Sequence, residues 1–339
     1  MILVTGGTGL VGGHLLYKLL KAGERVRVLK RPSSNLNKTK HIFGFYGADA
    51  LSYFDLIEWV DGDLLDYDSL RESLKNIEVV YHTGAMVSFN PKMRHELMRT
   101  NEEGTANLVN LSLEMGIKKF CFVSSIASLG NSKNGEVIDE FSYWQGGKDH
   151  SVYSLSKFKS EMEVWRATKE GLNAVIVNPS VIIGPGDWSQ GSPRTIQTIA
   201  KGMKFYTTGG TGFVDVRDVV TAMVTLVKSD VQNERFILNG ANLTYQDLFN
   251  RIADGLGVKR PSIRAKKILV NLGWRFEKLK NKITGSEPMI TKESARTSLK
   301  RTQYSGEAIK EHIQFNYTPF NTTITESVNY YKETSEVCL

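Results

Sequence analysis

Cysteine is nearly absent: there are two in 339 residues, Cys121 inside an apolar run and Cys338 beside the C-terminus. A disulfide framework and a cysteine-rich metal site are thereby excluded. The histidines His14, His41, His82, His95, His150 and His312 lack metal-ligand spacing, so no metal is expected. Long apolar runs are missing as well, none approaching the ~18 residues that cross a bilayer. The glycine-punctuated opening has no basic-then-apolar leader, from which a cytoplasmic protein without stable membrane insertion is expected. Proline-rich or Gly/Ser-rich linkers and internal repeats are also lacking, which argues against lobes on a flexible tether. What is present, 41% apolar and 23% charged residues, is ordinary globular composition and rules out disordered, collagenous and coiled-coil classes.

Acidic residues are scarce in one region. Residues 259 to 311 carry 14 Lys/Arg against 5 Asp/Glu in a chain of net charge +7, so the remainder is slightly acidic. The positive charge is local, a solvated helical face explains it most simply, and no nucleic-acid partner is expected. Inside this region Ile268, Leu272, Phe276, Leu279 and Ile283 recur every three or four residues, the spacing of an amphipathic helix. The simplest reading packs that apolar face on the sheet or over the pocket; membrane-surface attachment and a subunit contact are the alternatives.

The first half alternates short apolar or β-branched runs with helical spacing. Strands are expected at Ile2 to Val4, Arg25 to Lys30, Ile57 to Val60, Glu78 to Tyr81, Lys119 to Ser124 and Ala174 to Asn178. Such alternation predicts an α/β fold, a doubly wound parallel sheet with helices on both faces. Beyond Pro179 the pattern loosens into loops at Gly184 to Ser192 and Thr207 to Gly212, one strand at Arg235 to Leu238, and helices. The expected division is a dinucleotide-binding domain over 1–178, rejoined by 213–238, and a smaller, mostly helical substrate lobe from 179–212 and 239–335.

Thr5 to Gly12, TGGTGLVG, sets Gly6, Gly9 and Gly12 between the first strand and a helix beginning near Val11. Glycines there tighten the turn, admit a pyrophosphate against bare backbone and let the helix lie close on the sheet. The second strand ends in Lys30 and Arg31, where an acid would hold the 2′-hydroxyl of NAD. A guanidinium grips a 2′-phosphate instead, so NADP(H) is favoured, with NAD(H) still open. Asp63 could accept from adenine, although Asp63, Asp66 and Asp68 are equally plausible helix caps. Thr83, Gly84 and Ala85 are small enough to leave backbone free for the cofactor, and His82 reads as a strand-end residue.

Tyr153 and Lys157, in YSLSK, lie four apart on one helical face. A phenol titrates near pH ~10 and needs a neighbouring ammonium to work at neutral pH. Ser125, 28 residues earlier at the carboxyl end of KKFCFVSS, stands where parallel sheets place ligand sites, and its hydroxyl could bond a substrate oxygen.

TGGTGLVG, Asp63, NEEGTAN from Asn101, SSIASLG, YSLSK, NPSVIIGP and FVDVRDVV together resemble an extended short-chain dehydrogenase/reductase, within the NAD-dependent epimerase/dehydratase superfamily. The resemblance runs over most of residues 1 to 225. It implies a Rossmann-type fold and a Ser125, Tyr153, Lys157 catalytic group, with Asn101 supporting the lysine through a helix that it kinks. The implied cofactor contacts are Thr5, Gly6, Thr8, Gly9, Leu10 and Gly12, then Lys30, Arg31, Asp63, Leu64, Thr83, Gly84 and Ala85, then Tyr153 and Lys157, with Pro179 and Val181 near the nicotinamide. Ile126 and Ala127 replace the Asp-Glu pair of the sugar-nucleotide dehydratases. Val181 replaces the Asn that holds the nucleotide in epimerases. NPSVIIGP is similar instead to the dihydroflavonol reductase and 3β-hydroxysteroid dehydrogenase branches, and Arg31 with Lys38 matches the 2′-phosphate contacts of the former. Gly130 departs from that branch, which has a polar residue there for the flavonoid ring.

The resulting expectation is an NADP(H)-dependent carbonyl reductase or alcohol dehydrogenase acting on a small or medium, partly apolar substrate. An NAD(P)-dependent sugar or sugar-nucleotide epimerase and a non-catalytic NADP(H)-binding sensor or scaffold are the alternatives. The resemblance also leaves a homodimer open.

Overall fold

A computed structural model describes residues 1–88, 90–130, 135–146, 150–284 and 292–335. Cys338 lies outside the described residues. Among the described residues, twelve strands run in chain order: β1 (Ile2–Thr5), β2 (Val26–Lys30), β3 (Glu58–Asp61), β4 (Val79–His82), β5 (Lys119–Val123), β6 (Ala174–Pro179), β7 (Val181–Ile183), β8 (Phe205–Tyr206), β9 (Gly210–Asp215), β10 (Glu234–Leu238), β11 (Ala241–Thr244) and β12 (Ile263–Arg264).

Seven of them form one parallel sheet in the order β10-β6-β5-β4-β1-β2-β3. The order reverses between β1 and β4, and a doubly wound sheet opens its ligand crevice at that switch. Strict alternation along the strands feeds two cores. Val4, Cys121, Val123, Val175 and Val177 enter one, while Leu3, Phe120, Phe122, Ala174 and Ile176 enter the other. The architecture is the expected Rossmann-type sheet.

A smaller sheet, β11-β9-β7, with β7 parallel and β11 antiparallel to β9, extends from the end of β6. It packs with helices Tyr245–Leu256 and Phe320–Ser335 around Phe213, Leu248, Ile252, Phe320 and Ile324. The loop read over Thr207 to Gly212 is corrected here, because β9 begins at Gly210. Gly209, Gly210 and Gly212 obscure the strand in sequence, yet close packing calls for them: a Cβ at Gly212 would stand 2.2 Å from Asn239 Oδ1.

The amphipathic segment forms helix Lys267–Thr284, but Leu272 and Phe276 are exposed. The expected packing of this apolar face on the sheet or over the pocket is thus corrected at the positions described. The small sheet is already covered by other helices, and Lys267–Thr284 packs against helix Lys292–Thr297. The side chains of Ile268, Leu279 and Ile283 lie outside the described residues.

Helix Leu10–Lys21 lies tight on the first turn. A Cβ at Gly12 would sit 2.2 Å from the Gly6 carbonyl oxygen and 2.8 Å from Gly7 Cα, both backbone atoms that cannot swing aside. Gly12→Ala should therefore cost about 1–3 kcal/mol, measured by urea unfolding. A variant with the parent's midpoint and slope would show that the turn tolerates a methyl group.

Candidate active site

Two clusters meet at the carboxyl ends of β1, β4 and β5. In the first, Gly6 adopts φ +74° and its missing side chain admits the backbone of Gly84, which a Cβ would meet at 2.5 Å. The amide of Gly9 donates to the Gly6 carbonyl at 2.9 Å. Gly9 begins helix Leu10–Lys21 without a side-chain cap, leaving the first-turn amides available to an anion. Thr8 and Leu10 belong to this turn.

Thr5 ties the turn to β4. Gly84 N–H donates to Thr5 Oγ1 at 3.2 Å, Thr83 Oγ1 donates to the Thr5 carbonyl at 2.7 Å, and Thr5 Oγ1 meets His82 Nδ1 at 2.7 Å. On the other edge of the imidazole, His82 Nε2 meets Thr105 Oγ1 at 3.0 Å, and that hydroxyl donates to the Asn101 carbonyl at 2.5 Å. One assignment satisfies every group: Nε2 carries the proton and Nδ1 accepts from Thr5. Burial pushes the His82 pKa down to about 3, so the ring is neutral at physiological pH. This residue, read as a mere strand end, bridges the two halves of the site.

Asn101 sits in a π-helical turn, Arg99–Glu103. Its amide donates to the Met86 carbonyl at 2.9 Å and to Ser156 Oγ at 3.0 Å, and its oxygen accepts from Met86 N–H at 2.7 Å. It reaches the residue next to Lys157 rather than Lys157 itself.

The second cluster is built on helix Val152–Lys169, capped by Ser151 Oγ, which accepts from Ser154 N–H at 2.8 Å. Ser156, Lys157, Ser160 and Glu161 are buried on the same helix as Val164 and Ala167, so its sheet-facing side is polar at the site and apolar beyond. The Tyr153 phenol faces the Ser125 side chain; burial pushes its pKa above the ordinary value and the polar interaction with Ser125 draws it back. The ammonium of Lys157, expected to acidify the phenol, is directed elsewhere. It donates to the Val123 carbonyl at 2.8 Å and lies 4.7 Å from the Phe122 ring centroid. Burial brings its pKa down to about 8, opposed by the charge of Glu161.

Sequence reasoning missed Glu161. Its carboxylate, on a residue only 3% exposed, accepts from Ser124 Oγ at 2.6 Å, Ser128 Oγ at 2.7 Å, Asn178 Nδ2 at 2.8 Å and Trp165 Nε1 at 3.3 Å, and pairs with Arg235 at 3.2 Å. The available signal was its position one turn beyond Lys157 on the same face.

Of the basic residues read as 2′-phosphate contacts, Lys30 pairs with Asp61, and Lys38 pairs with Asp187 at 2.9 Å and donates to Gln190 at 3.3 Å. Arg31 is exposed and in no ion pair among the described residues. Asp66, not Asp63, caps helix Tyr67–Ser73. Asp63 Oδ1 accepts from Leu65 N–H at 2.9 Å, and Leu64 packs on Gly104. Ala85 is exposed beside Gly84. Pro179 ends β6, and Val181 opens β7 on the wall of a cavity of about 280 Å³ shared with Ile183, Met203, Phe213, Tyr245 and Phe249.

A dinucleotide suits these groups. The glycine turn is a backbone cradle with uncapped amides, and the only hydrogen-bond acceptor for the buried Lys157 ammonium among the described residues is one carbonyl. At Gly130 a Cβ would stand 2.1 Å from the Tyr143 carbonyl oxygen, so the segment around Tyr143 fills the space of the polar residue absent there.

Residues 2–239 match the model of the NAD dependent epimerase/dehydratase family. The chain is 27% identical over 336 residues to a putative dihydroflavonol 4-reductase of Synechocystis sp., spanning 97% of this chain and 94% of that protein. It is 31% identical over 265 residues to sterol demethylase protein B of Methylococcus capsulatus, spanning 77% and 76% of the two. The crystal structure of gox2253 aligns with a TM-score of 0.81 at 29% identity, covering 98% of each chain. A match over more than half the chain, with reductases among its relatives and the same fold in a solved neighbour, makes this protein a member of the NAD-dependent epimerase/dehydratase family, an NAD(P)-dependent oxidoreductase of the extended short-chain dehydrogenase/reductase type.

Proposed function

We propose that the protein is an NADP(H)-dependent carbonyl reductase or alcohol dehydrogenase acting on a small or medium, partly apolar substrate. The observation that carries this reading is the juxtaposition of the Ser125 hydroxyl and the Tyr153 phenol at the end of β5, with buried Lys157 one turn along the same helix as Tyr153. Bound nicotinamide would supply or take the hydride. Tyr153 would donate or remove the proton on the substrate oxygen, and Ser125 would orient that oxygen. Lys157 would hold the nicotinamide ribose and favour the phenolate once its ammonium faces the phenol. Asn101 would set the lysine's helix through Ser156.

Thr5, Gly6, Thr8, Gly9, Leu10 and Gly12 would receive the pyrophosphate, with Thr83, Gly84 and Ala85 along the ribose and Asp63 and Leu64 at the adenine. Arg31, in no ion pair among the described residues, supports the 2′-phosphate assignment, whereas Lys30 and Lys38 would have to exchange their carboxylate partners. The apolar walls of the cavity beside Val181 support a partly apolar substrate.

A carbonyl panel followed by NADPH absorbance should show cofactor consumed in step with product; product formed with no net change in absorbance would favour an epimerase. Tyr153→Phe should lower kcat by about 10²- to 10⁴-fold with NADPH affinity nearly intact, while Lys157→Ala should damage both. Turnover by Tyr153→Phe at the parent rate would reject the assignment. Arg31→Asp should cut the NADPH-over-NADH preference roughly tenfold or more, and an unmodified protein that prefers NADH would overturn the 2′-phosphate reading.

Glu161 gives a pH test. The Lys157 ammonium is present below about pH 8 and lost above it, and the Glu161 charge raises that midpoint. Glu161→Gln should therefore move the alkaline limb of kcat/KM to lower pH. A purely structural role would reduce the amplitude and leave the midpoint in place.

A further inference from the structure

Helix Lys267–Thr284 buries Val270 but presents a further apolar face to solvent. Leu269, Leu272 and Phe276 are 47%, 55% and 68% exposed, and at 100° per residue they fall within about 60° of arc. Four positions before the first residue of the helix, Ile263 pairs with Phe205 in the β8/β12 ladder, and these are 44% and 51% exposed. Isolated exposed apolar residues need no explanation, but five along one connected stretch do.

The charge around them identifies the occupant. Residues 259 to 284 hold nine Lys/Arg and one Asp/Glu. Arg264, Lys266 and Lys267 are exposed and in no ion pair among the described residues, and Arg275 is exposed with its guanidinium 5.6 Å from the Trp274 ring centroid. A second copy of this surface would bring like charges together, whereas an anionic bilayer offers both an apolar interior and negative headgroups. No helix among the described residues is long and apolar enough to cross a membrane.

We infer that helix Lys267–Thr284, with the adjoining β8/β12 ladder, is an amphipathic docking surface for anionic lipid bilayers. Leu269, Leu272 and Phe276 enter the headgroup boundary and Arg264, Lys266 and Lys267 lie against anionic headgroups. The docked face is joined to the candidate substrate cavity: Met203, on the cavity wall, is two residues from Phe205. A partly apolar substrate held in a bilayer would then have a short path to the site. The docking itself is independent of the redox chemistry.

The test uses the full chain and unilamellar vesicles of phosphatidylcholine, with and without phosphatidylglycerol, read by co-sedimentation. Binding should need the anionic lipid and fall steeply with added salt. Leu272→Ser combined with Phe276→Ser should weaken it about tenfold or more, and Arg264→Glu, Lys266→Glu and Lys267→Glu by at least about fivefold each. Thermal melts and NADPH affinity of these surface variants should match the parent, which separates lost docking from lost folding. Equal sedimentation with and without anionic lipid, or none with either, would overturn the inference. So would self-association in sedimentation velocity that Phe276→Ser abolishes without any vesicle binding, because the face would then be a contact between copies.

Discussion

The buried carboxylate of Glu161 is the constraint on which the reactive end depends. Removing a carboxylate from water costs several kcal/mol unless donors and a counter-charge replace the lost solvent. Here they come from separate parts of the chain: Ser124 after β5, Ser128 in the turn that follows, Asn178 in β6 and Arg235 in β10. Each of these groups is thereby aimed at one point on helix Val152–Lys169. Ser125 lies between two residues anchored there, and Lys157 lies one turn before the anchor. A shift of the helix would leave either an unpaired charge or unpaired donors, so the relative position of phenol, hydroxyl and ammonium is costly to disturb.

A second, neutral chain joins this arrangement to the nucleotide turn. Starting from Gly84 N–H, hydrogen bonds pass through Thr5, His82 and Thr105 to the backbone of Asn101, whose side chain reaches Ser156. Burial keeps the imidazole uncharged, which suits a ring that must accept on one nitrogen and donate from the other. The π-helical turn at Arg99–Glu103 offsets the helix at the residue whose carbonyl and amide both belong to this chain. The two clusters are consequently one polar unit running beneath the crevice, and the hydrophobic cores on either side of the sheet hold it without contributing a reacting group.

How much of this was legible in the sequence depended on the kind of signal. Continuous apolar strands such as Lys119–Val123 and Ala174–Pro179 declare themselves because both faces are buried. The glycine turn and the Tyr153 and Lys157 spacing were readable because their chemistry restricts residue type. Strand β9 was partly hidden by glycines needed for close approach, and two-residue strands such as β8 and β12 are too short for any period to emerge. His82 and Glu161 look like ordinary polar residues until long-range partners are known, since nothing local separates a buried carboxylate from an exposed one. Helix Lys267–Thr284 illustrates a further limit: periodicity locates its apolar face but not what covers it.

The turn at Gly130 is bound up with the same anchors. Gly130 donates from its amide to the Ser142 carbonyl at 3.2 Å, in a turn where Asp139 Oδ1 accepts from Ser142 Oγ at 2.9 Å and from Phe141 N–H at 3.1 Å. The next residue, Glu140, accepts from Arg235 through its carbonyl and from Ile237 N–H through Oε1 at 2.8 Å. Arg235 therefore holds the wall beside Gly130 with one part of its guanidinium and the Glu161 carboxylate with another. A side chain at position 130 would have to push that wall away from β10, loosening the group that also neutralises Glu161. The glycine is thus a condition for joining this turn to helix Val152–Lys169 through one arginine, and a side chain at this point would require the turn, the strand and the buried ion pair to move together.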